Sequence, residues 1–354
     1  MKAIYKNALI NGIITDITVE NGKITSLEKT SEDGFDLEGK KILPGLIDIH
    51  IHGVMNKDTM DGDKLNEISV FLAKNGVTSF LPTTMTVAME DIKKVVNGDL
   101  PKCDGAEVLG YHLEGPYIAA SKRGAQNIDY IRKPDIDEFN ELENIKMVTV
   151  APEAEGGLEF VKACKCVVSI GHTEADYDIS LEAIRNGAKC LTHTFNAMAP
   201  LNHRMPGPIG AALAGDAYVQ VICDGLHIHP AVIMLLYKAF GRERMIIISD
   251  AMKATGMADG VYEFGAQPVK VENSVARTLD GALAGSTSHI LMGVKKVMEI
   301  GISEEDAVYM ATEAPANLLG LNKGKLSVGY DADFIAVDEK FNVLMTVVGG
   351  NRVY

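Results

Sequence analysis

The chain has 354 residues, 47% of them hydrophobic and 23% charged, which is enough for one large α/β domain or two ordinary ones. The formal net charge of −14 argues against a nucleic-acid partner, because phosphate backbones are bound by Lys and Arg. No apolar run approaches the roughly 18 residues of a membrane span, and the first residues lack the apolar core of a signal peptide. With five irregularly spaced cysteines, these features predict a cytoplasmic protein with reduced thiols and no membrane partner.

Short strands are predicted at both ends of the chain. In residues 1–44, apolar runs are separated by the turn signals Asn11-Gly12 and Asn21-Gly22, and residues 325–354 have the same pattern. Neither end is long enough to bury a sheet core alone. We therefore predict one small β-sandwich domain built from residues 1–44 together with residues 325–354.

The middle of the chain, residues 45–324, alternates apolar strands with helices. The predicted strands are Lys41–His50, Thr78–Pro82, Glu107–Leu113, Lys146–Ala151, Cys166–Ile170, Lys189–Leu191, Tyr218–Cys223 and Met245–Ile248. The predicted helices, each followed by a glycine, are Leu65–Asn75, Ala175–Asn186 and Pro230–Phe240. This alternation favours a parallel sheet closed into a (β/α)8 TIM barrel as the catalytic domain, with an open doubly wound sheet as the alternative. Residues 256–285 are interpreted as an insertion with strand-like pieces at Val261–Phe264 and Val269–Val271.

Residues of metal-ligand or acid–base type close most of the predicted strands. His50 and His52 lie two positions apart at the end of the first strand, so their side chains share one face. Later strand ends carry Glu114, His172, His193, Asp224 with His227, and Asp250. All lie at the carboxyl ends of strands, the face on which barrel enzymes build active sites. One such residue is more often structural, but this many on one rim predict a metal centre.

Several imidazoles with a carboxylate suit zinc or a similar divalent ion, iron included. An open coordination position would hold water and lower its pKa toward about 7. Asp250 could take a proton from that water and later give it to a leaving group. The pattern predicts metal-dependent hydrolysis of an amide, ester or cyclic amidine-type bond.

Six motifs resemble those of the amidohydrolase superfamily and, within it, the N-acetylglucosamine-6-phosphate deacetylases. They are Leu43–Gly53, His112–Pro116, Gly171–Thr173, Thr192–Met198, Asp224–His227 and Ser249–Met252. The second and fourth are specific to the deacetylases, whereas the His-x-His pair in the first and the closing Gly324–Phe334 are superfamily markers. The resemblance implies removal of the acetyl group from N-acetylglucosamine 6-phosphate, a step of amino-sugar catabolism.

For the metal, the resemblance implies a first ion held by Glu114, His172 and His193. The chain also keeps His50 and His52, which some relatives lack, so a second ion bridged by Glu114 is expected beside the first. The expected cofactors are therefore one or two divalent ions, zinc or iron first, with manganese, cobalt or nickel as further candidates.

For the substrate, the resemblance implies that Asp250 is the acid–base residue. The residues expected to bind the phosphosugar are Ala125, Gln126, Asn196, Ala197, Arg204, His227, Leu283, Ala284 and Gly285. The guanidinium of Arg204 would pair with the 6-phosphate bidentately and reach the site from the neighbouring subunit, which implies a homodimer.

One position departs from the family pattern. Gln126 stands where relatives often carry a histidine that helps to polarise the acetyl carbonyl. A glutamine amide can donate a hydrogen bond but cannot become positively charged. We therefore expect either a second metal ion to take over that work or a somewhat different substrate.

Three other functions remain open from the sequence. The nearest is the same reaction on N-acetylgalactosamine 6-phosphate, for which Gln126 is the first residue to examine. A second is another amidohydrolase, such as a deaminase or cyclic amidase, which would not need Arg204 or the Asn196-Ala197 pair. The third is a metal-free barrel that serves as a binding or assembly module, against which the full ligand set argues.

Overall fold

The computed structural model describes residues 2–265, 267–279 and 281–354; Met1 of the predicted terminal domain and Ala266 and Asp280 of the predicted insertion lie outside the described residues. The strands are β1 (Lys2–Ile10), β2 (Ile13–Glu20), β3 (Lys23–Ser26), β4 (Phe35–Asp36), β5 (Lys41–Pro44), β6 (Leu46–Ile51), β7 (Gly53–Val54), β8 (Lys57–Asp58), β9 (Val77–Pro82), β10 (Glu107–Val108), β11 (Tyr111–Glu114), β12 (Ile145–Val150), β13 (Val167–Ile170), β14 (Cys190–Leu191), β15 (Tyr218–Ile222), β16 (Met245–Ile248), β17 (Gly260–Phe264), β18 (Gln267–Glu272), β19 (Val275–Thr278), β20 (Phe334–Val337), β21 (Val343–Val348) and β22 (Asn351–Arg352). The α-helices are α1 (Leu65–Lys74), α2 (Met89–Val96), α3 (Ile136–Phe139), α4 (Gly157–Ala163), α5 (Tyr177–Asn186), α6 (Gly207–Ala214), α7 (Pro230–Arg244), α8 (Ile290–Glu299), α9 (Glu304–Met310) and α10 (Glu313–Leu319).

The two ends of the chain share one eight-stranded sheet, here called the terminal sheet. Its strand order is β22-β21-β20-β5-β1-β2-β3, and β4 pairs with β1. Its apolar side chains form their own buried cluster, in which the Tyr5 and Phe334 rings meet edge to face at 5.0 Å. The residues before the Asn11-Gly12 turn form one strand, β1, whose register against β2 shifts between Tyr5 and Ala8.

The middle of the chain forms a curled parallel sheet. β10, β9 and β6 pair in parallel, and β11 to β16 pair in parallel in chain order. Isolated parallel bridges join Thr83 to His112 at one edge and Ile51 to Ala251 at the other. A helix lies between nearly every pair of successive strands, so the predicted α/β class with a parallel sheet is confirmed.

Two of the predicted barrel strands are each divided in the structure. Lys41–His50 becomes β5 of the terminal sheet and β6 of the curled sheet, separated by Gly45. A Cβ on Gly45 would lie 2.2 Å from the Thr78 side chain, so only glycine allows the chain to pass so close to β9. Glu107–Leu113 becomes β10 and β11, separated at Gly110, whose φ of 134° is a glycine conformation. Because apolar residues flank the glycine in both segments, the sequence pattern did not reveal the breaks.

The predicted helices are present, with shifted ends. α5 begins at Tyr177 instead of Ala175 because the Asp176 carboxylate caps it by accepting the Ile179 N–H at 2.9 Å. α7 continues past the predicted end at Phe240 to Arg244, but Gly241 breaks its geometry with a φ of 69°. Among the described residues, no helix is long and apolar enough to cross a membrane.

The predicted insertion forms a small antiparallel sheet of β17, β18 and β19. Phe264, at the end of β17, packs its ring edge against His52 at 5.1 Å between ring centroids. The insertion therefore forms part of the wall above the carboxyl ends of the curled sheet.

Candidate metal centre and active site

The polar residues predicted at strand ends lie together at the carboxyl end of the curled sheet, here called the rim. His50 and His52 come from β6 and the residue after it, and Glu114 closes β11. The remaining members, His172, His193 and Asp250, each follow the end of their strand, β13, β14 or β16, by two residues. Each is at most 7% exposed. The fold thus collects ionisable side chains from five strands into one buried volume.

The backbone at the rim is unusual at three of these positions. His172, His193 and Asp250 have φ values of 47°, 25° and 48°, in the left-handed region that non-glycine residues seldom adopt. Each such residue costs on the order of 1–3 kcal/mol and persists only where the surrounding structure holds it. In each case the conformation turns the side chain inward at the end of its strand, which is what a convergent site requires.

The first group of ligand atoms comprises Glu114, His172 and His193. The His172 and His193 Nε2 atoms lie 3.1 Å apart, and they are 3.2 and 3.0 Å from Glu114 Oε1. Their ligand atoms are close enough together to hold one ion.

The second group shares Glu114 and adds His50 and His52. The two histidine Nε2 atoms are 3.2 Å apart; His50 Nε2 is 3.3 Å from Glu114 Oε1, and His52 Nε2 is 3.2 Å from Oε2. Asp250 Oδ1 stands 3.4 and 3.3 Å from the same two nitrogens. The Glu114 carboxylate is therefore common to both groups, and Asp250 lies beside them.

Hydrogen bonds on the far side of the imidazole rings indicate how these ligands are presented. His172 Nδ1 is 2.7 Å from the Lys122 carbonyl oxygen, and His50 Nδ1 is 3.0 Å from Gln220 Oε1. Both partners can only accept, so each Nδ1 donates a proton and each neutral ring presents a lone pair at Nε2. Acceptor atoms that face one another at about 3 Å need positive charge between them. The donor set therefore fits a divalent ion bound by imidazole and carboxylate.

The pKa values agree with this demand for positive charge. Burial would raise the pKa of the Glu114 carboxyl, but the nearby imidazoles of His50, His172 and His193 hold it well below its ordinary value. Burial opposes ionisation of Asp250 as well, yet His50 and His52 lower its pKa to about 2. Burial lowers the pKa of His52, and the two carboxylates outweigh this effect and raise it to about 10. Two carboxylates are thus anionic in the buried site.

A cavity of about 330 Å³ opens directly above these groups. Nearly all the predicted substrate-binding residues line it: Ala125, Gln126, Asn196, Ala197, His227, Leu283, Ala284 and Gly285. Arg204 is exposed and, among the described residues, is not part of this lining. His227 Nδ1 is held by Asp224 Oδ2 at 2.7 Å, which leaves its Nε2 as the nitrogen available to a ligand.

Gln126 is engaged at both ends of its amide. Its Nε2 donates to Glu114 Oε2 at 2.7 Å, and its Oε1 accepts the Thr86 N–H at 2.7 Å. The Gln126 amide N–H, which the sequence suggested as a donor to the acetyl carbonyl oxygen, thus donates to the Glu114 carboxylate. Gln126 orients Glu114 in addition to lining the cavity.

Some functional residues were not identified from the sequence. Gln220 is fully buried on β15, and its Oε1 meets both His50 Nδ1 and the His193 N–H, the latter at 3.3 Å. The signal that could have revealed it is a glutamine within the apolar run Tyr218–Ile222. Lys122, which supplies a cation to the cavity lining, lies three residues before the predicted site residue Ala125 but has no motif of its own.

Comparison with known proteins identifies the family. The amidohydrolase family model matches residues 42–353. N-acetylglucosamine-6-phosphate deacetylase of Bacillus subtilis (strain 168) is 40% identical over 334 residues, 88% of this chain and 84% of the relative. N-acetylgalactosamine-6-phosphate deacetylase of Escherichia coli O157:H7 is 34% identical over 352 residues, 94% of this chain and 93% of the relative. The crystal structure of N-acetylglucosamine-6-phosphate deacetylase from Thermotoga maritima matches with a TM-score of 0.90 at 34% identity and covers 99% of both chains. The resemblance seen in the motifs is confirmed, and the chain belongs to the amidohydrolase family, within its group of N-acetylglucosamine-6-phosphate deacetylases.

Proposed function

We propose that this protein hydrolyses the acetamide of N-acetylglucosamine 6-phosphate to give glucosamine 6-phosphate and acetate. One observation carries the proposal: four imidazole nitrogens and the Glu114 carboxylate converge beside Asp250 beneath a cavity of about 330 Å³. The deacetylase relatives, aligned over most of the chain, support the choice of substrate.

We also propose that the curled sheet is a closed (β/α)8 TIM barrel spanning residues 45–324. The bridges at both edges of the curled sheet support closure. For this count, β10 and β11, which follow one another along the chain, are taken together as one barrel position. Residues 1–44 and 325–354 would form the second domain, around the terminal sheet.

The proposed metal site holds one ion on Glu114, His172 and His193 and a second on His50, His52 and the same Glu114. Zinc or iron suits this nitrogen and oxygen donor set, and manganese, cobalt and nickel are further candidates. When bound, a divalent ion supplies Lewis acidity that polarises a carbonyl and acidifies water.

The chain's own residues account for the proton transfers and the binding. Asp250, a carboxylate at neutral pH, would take the proton of the attacking water and deliver it to the nitrogen of the departing amine. Asn196 and Ala197 line the cavity beside His193 and would hold the sugar phosphate. His227, fixed by Asp224, would contact the same substrate through Nε2.

A test of the function is an acetate-release assay on protein of known metal content. The substrates are N-acetylglucosamine with and without the 6-phosphate, and the 6-phosphate of the galactosamine epimer. The phosphorylated glucosamine compound should be preferred over the free sugar by roughly 10–100-fold in kcat/KM, since charged hydrogen bonds contribute about 1.5–3 kcal/mol. Release of ammonia without acetate, or equal rates on both forms of the sugar, would overturn the proposal.

The galactosamine 6-phosphate epimer is a second candidate substrate. The relative from Escherichia coli O157:H7 bears that activity in its name and is 34% identical over 93% of its own length. The ratio of kcat/KM values in the same assay separates the two, because the epimers differ by one ring hydroxyl.

We further propose a homodimer in which Arg204 binds the phosphate in the neighbouring active site. Its exposed position outside its own cavity supports this arrangement. An Arg204→Ala chain and an Asp250→Asn chain, each impaired alone, should regain activity when combined, because a mixed dimer contains one intact site. If mixing restores nothing while mixed dimers form, Arg204 acts within its own chain.

A further inference from the structure

Two cysteines lie next to one another at the end of the curled sheet opposite the rim. Cys164 follows α4, and Cys166 precedes β13, whose far end leads to His172. Their Sγ atoms are 3.4 Å apart. The four residues of β13 alone place about 13 Å between this pair and the rim, so the thiols are not part of the metal centre.

The backbone at the pair brings both side chains to one face. Cys164 is extended, with φ −66° and ψ 135°, and residues i and i+2 of an extended segment point the same way. Two extended steps separate the Cα atoms by about 6–7 Å, which lies at the upper end of the range that a disulfide spans. The sulfurs need to approach by little more than 1 Å to reach the bonded distance of about 2.05 Å, a movement that side-chain rotation can supply.

The surroundings of the pair also favour reaction. Both cysteines are partly exposed, whereas Cys190 and Cys223 are buried. The neighbouring Lys162 and Lys165 are exposed cations, which favour a thiolate and attract an anionic reagent. A hydrogen bond from the Cys166 thiol lowers the pKa of Cys164, so Cys164 is the better nucleophile of the two.

We propose that Cys164 and Cys166 form an oxidisable dithiol, a modification site for low-molecular-weight disulfides that is separate from the active site. The Cys164 thiolate attacks one sulfur of glutathione disulfide, and one glutathione leaves as thiolate. The Cys166 thiolate then attacks Cys164 Sγ in the mixed disulfide and expels the second glutathione. Two electrons pass from the protein to the oxidant, and the two thiol protons go to the released glutathione.

The test uses the full chain as purified, equilibrated in glutathione buffers of increasing oxidised fraction, then alkylated and analysed by peptide mass spectrometry. The expected product is an internal disulfide between Cys164 and Cys166, with free thiols falling from five to three per chain. Addition of dithiothreitol should restore all five. A glutathione adduct that persists on either cysteine would overturn the proposal. Full alkylation of both cysteines in the most oxidising buffer would overturn it as well.

Matched variants separate the pair from the other thiols. In Cys166→Ser, Cys164 should stop at the glutathione adduct because its resolving partner is gone. Cys103→Ser should leave the internal disulfide unchanged, since the hydrogen-bond partners described for the Cys103 sulfur are the Pro101 carbonyl oxygen, at 3.9 Å, and Ser69, and neither cysteine of the pair is among them. A disulfide that forms equally in Cys166→Ser would place the oxidation elsewhere and overturn the assignment.

Discussion

Two buried charged clusters in this molecule are built in opposite ways. Beneath the terminal sheet, Lys323 is 7% exposed, and its Nζ is 2.8 Å from Asp333, 2.6 Å from Glu107 and 3.1 Å from Asp331. Every charge there faces its opposite. At the rim, acceptor atoms face acceptor atoms at about 3 Å, and the Nδ1 atoms of His52 and His193 have no hydrogen-bond partner within residues 2–265, 267–279 and 281–354.

The comparison distinguishes charged residues that stabilise the fold, in the Lys323 cluster, from charged residues that are arranged to bind a ligand, at the rim. Lys323 links Glu107 of β10 in the curled sheet to Asp333, the residue just before β20 of the terminal sheet, so these ion pairs close the junction between the two sheets. The rim, with its positive φ values and its facing acceptor atoms, is costly until a cation and a substrate complete it. Substitutions at the rim should therefore impair catalysis, and substitutions in the Lys323 cluster should impair stability.

The largest expected effect is on catalysis at the rim. Asp250→Asn removes the proton acceptor but keeps the shape, so kcat should fall by about 10²–10⁴-fold. Steady-state kinetics gives kcat, and metal analysis should find the same ion content as in the parent chain. The matched control, Asp331→Asn in the Lys323 cluster, should leave kcat unchanged. Near-normal turnover by Asp250→Asn would remove Asp250 from the proposed proton transfers.

At the other cluster, the effect should be on stability. Lys323→Met leaves Asp333, which is 2% exposed, without its cation, and breaking a buried pair in this way costs about 3–5 kcal/mol. The chain contains no tryptophan, so circular dichroism in denaturant is the suitable measurement. Below the unfolding transition, kcat/KM should match the parent.

Lys325→Met is the control for that experiment. The Lys325 side chain is 48% exposed, and its Nζ is 3.6 Å from Glu313, so its loss should cost at most about 1 kcal/mol. Equal destabilisation by the two variants would show that the Lys323 cluster has no special role in the fold.

A smaller effect is expected at the junction of the two metal groups. Gln220→Leu removes the acceptor that fixes the His50 ring, and loss of such an outer partner typically weakens metal binding by about 10–100-fold. Metal content after dialysis against a chelator should fall toward one ion per chain, with the Glu114, His172 and His193 ion retained. Gln220→Glu keeps an acceptor for His50 Nδ1 and should retain both ions. Unchanged metal affinity in Gln220→Leu would mean that β6 alone fixes the orientation of the His50 ring.

The identity of the rim residues could be predicted from the sequence because parallel strands place their carboxyl ends together. His50, Glu114, His172, His193 and Asp250 follow apolar runs, and the topology of the fold then fixes their proximity. The charged cluster at Lys323 could not be predicted in this way. Lys323 and Glu107 are far apart in sequence, and neither lies in a motif, so only the packing of the two sheets brings them together.

Side-chain partners were equally beyond the reach of the sequence. The family pattern suggested that Gln126 faces the substrate, because a histidine often stands there. Which way an amide points depends on the donors and acceptors around it, and these come from Thr86 and Glu114, on segments 40 and 12 residues away. In the structure, Gln126 orients the Glu114 carboxylate and also lines the cavity.

The smallest predicted effect follows from that orientation and concerns selectivity between the two epimeric substrates. The Gln126 amide oxygen accepts the Thr86 N–H, and its nitrogen donates to Glu114 Oε2 and lies 3.9 Å from the Met85 sulfur, so both N–H groups are directed at protein atoms and not at a ring hydroxyl. Gln126→Leu should lower kcat/KM for both phosphosugars, because Glu114 is less well supported. The ratio of the two kcat/KM values should change by no more than about twofold, whereas residues that hydrogen-bond a substrate hydroxyl directly discriminate far more strongly. Parallel acetate-release kinetics on the two epimers measures the ratio. A shift of tenfold or more would mean that the amide turns away from Glu114 when substrate binds, and Gln126 would then belong with the substrate-reading residues.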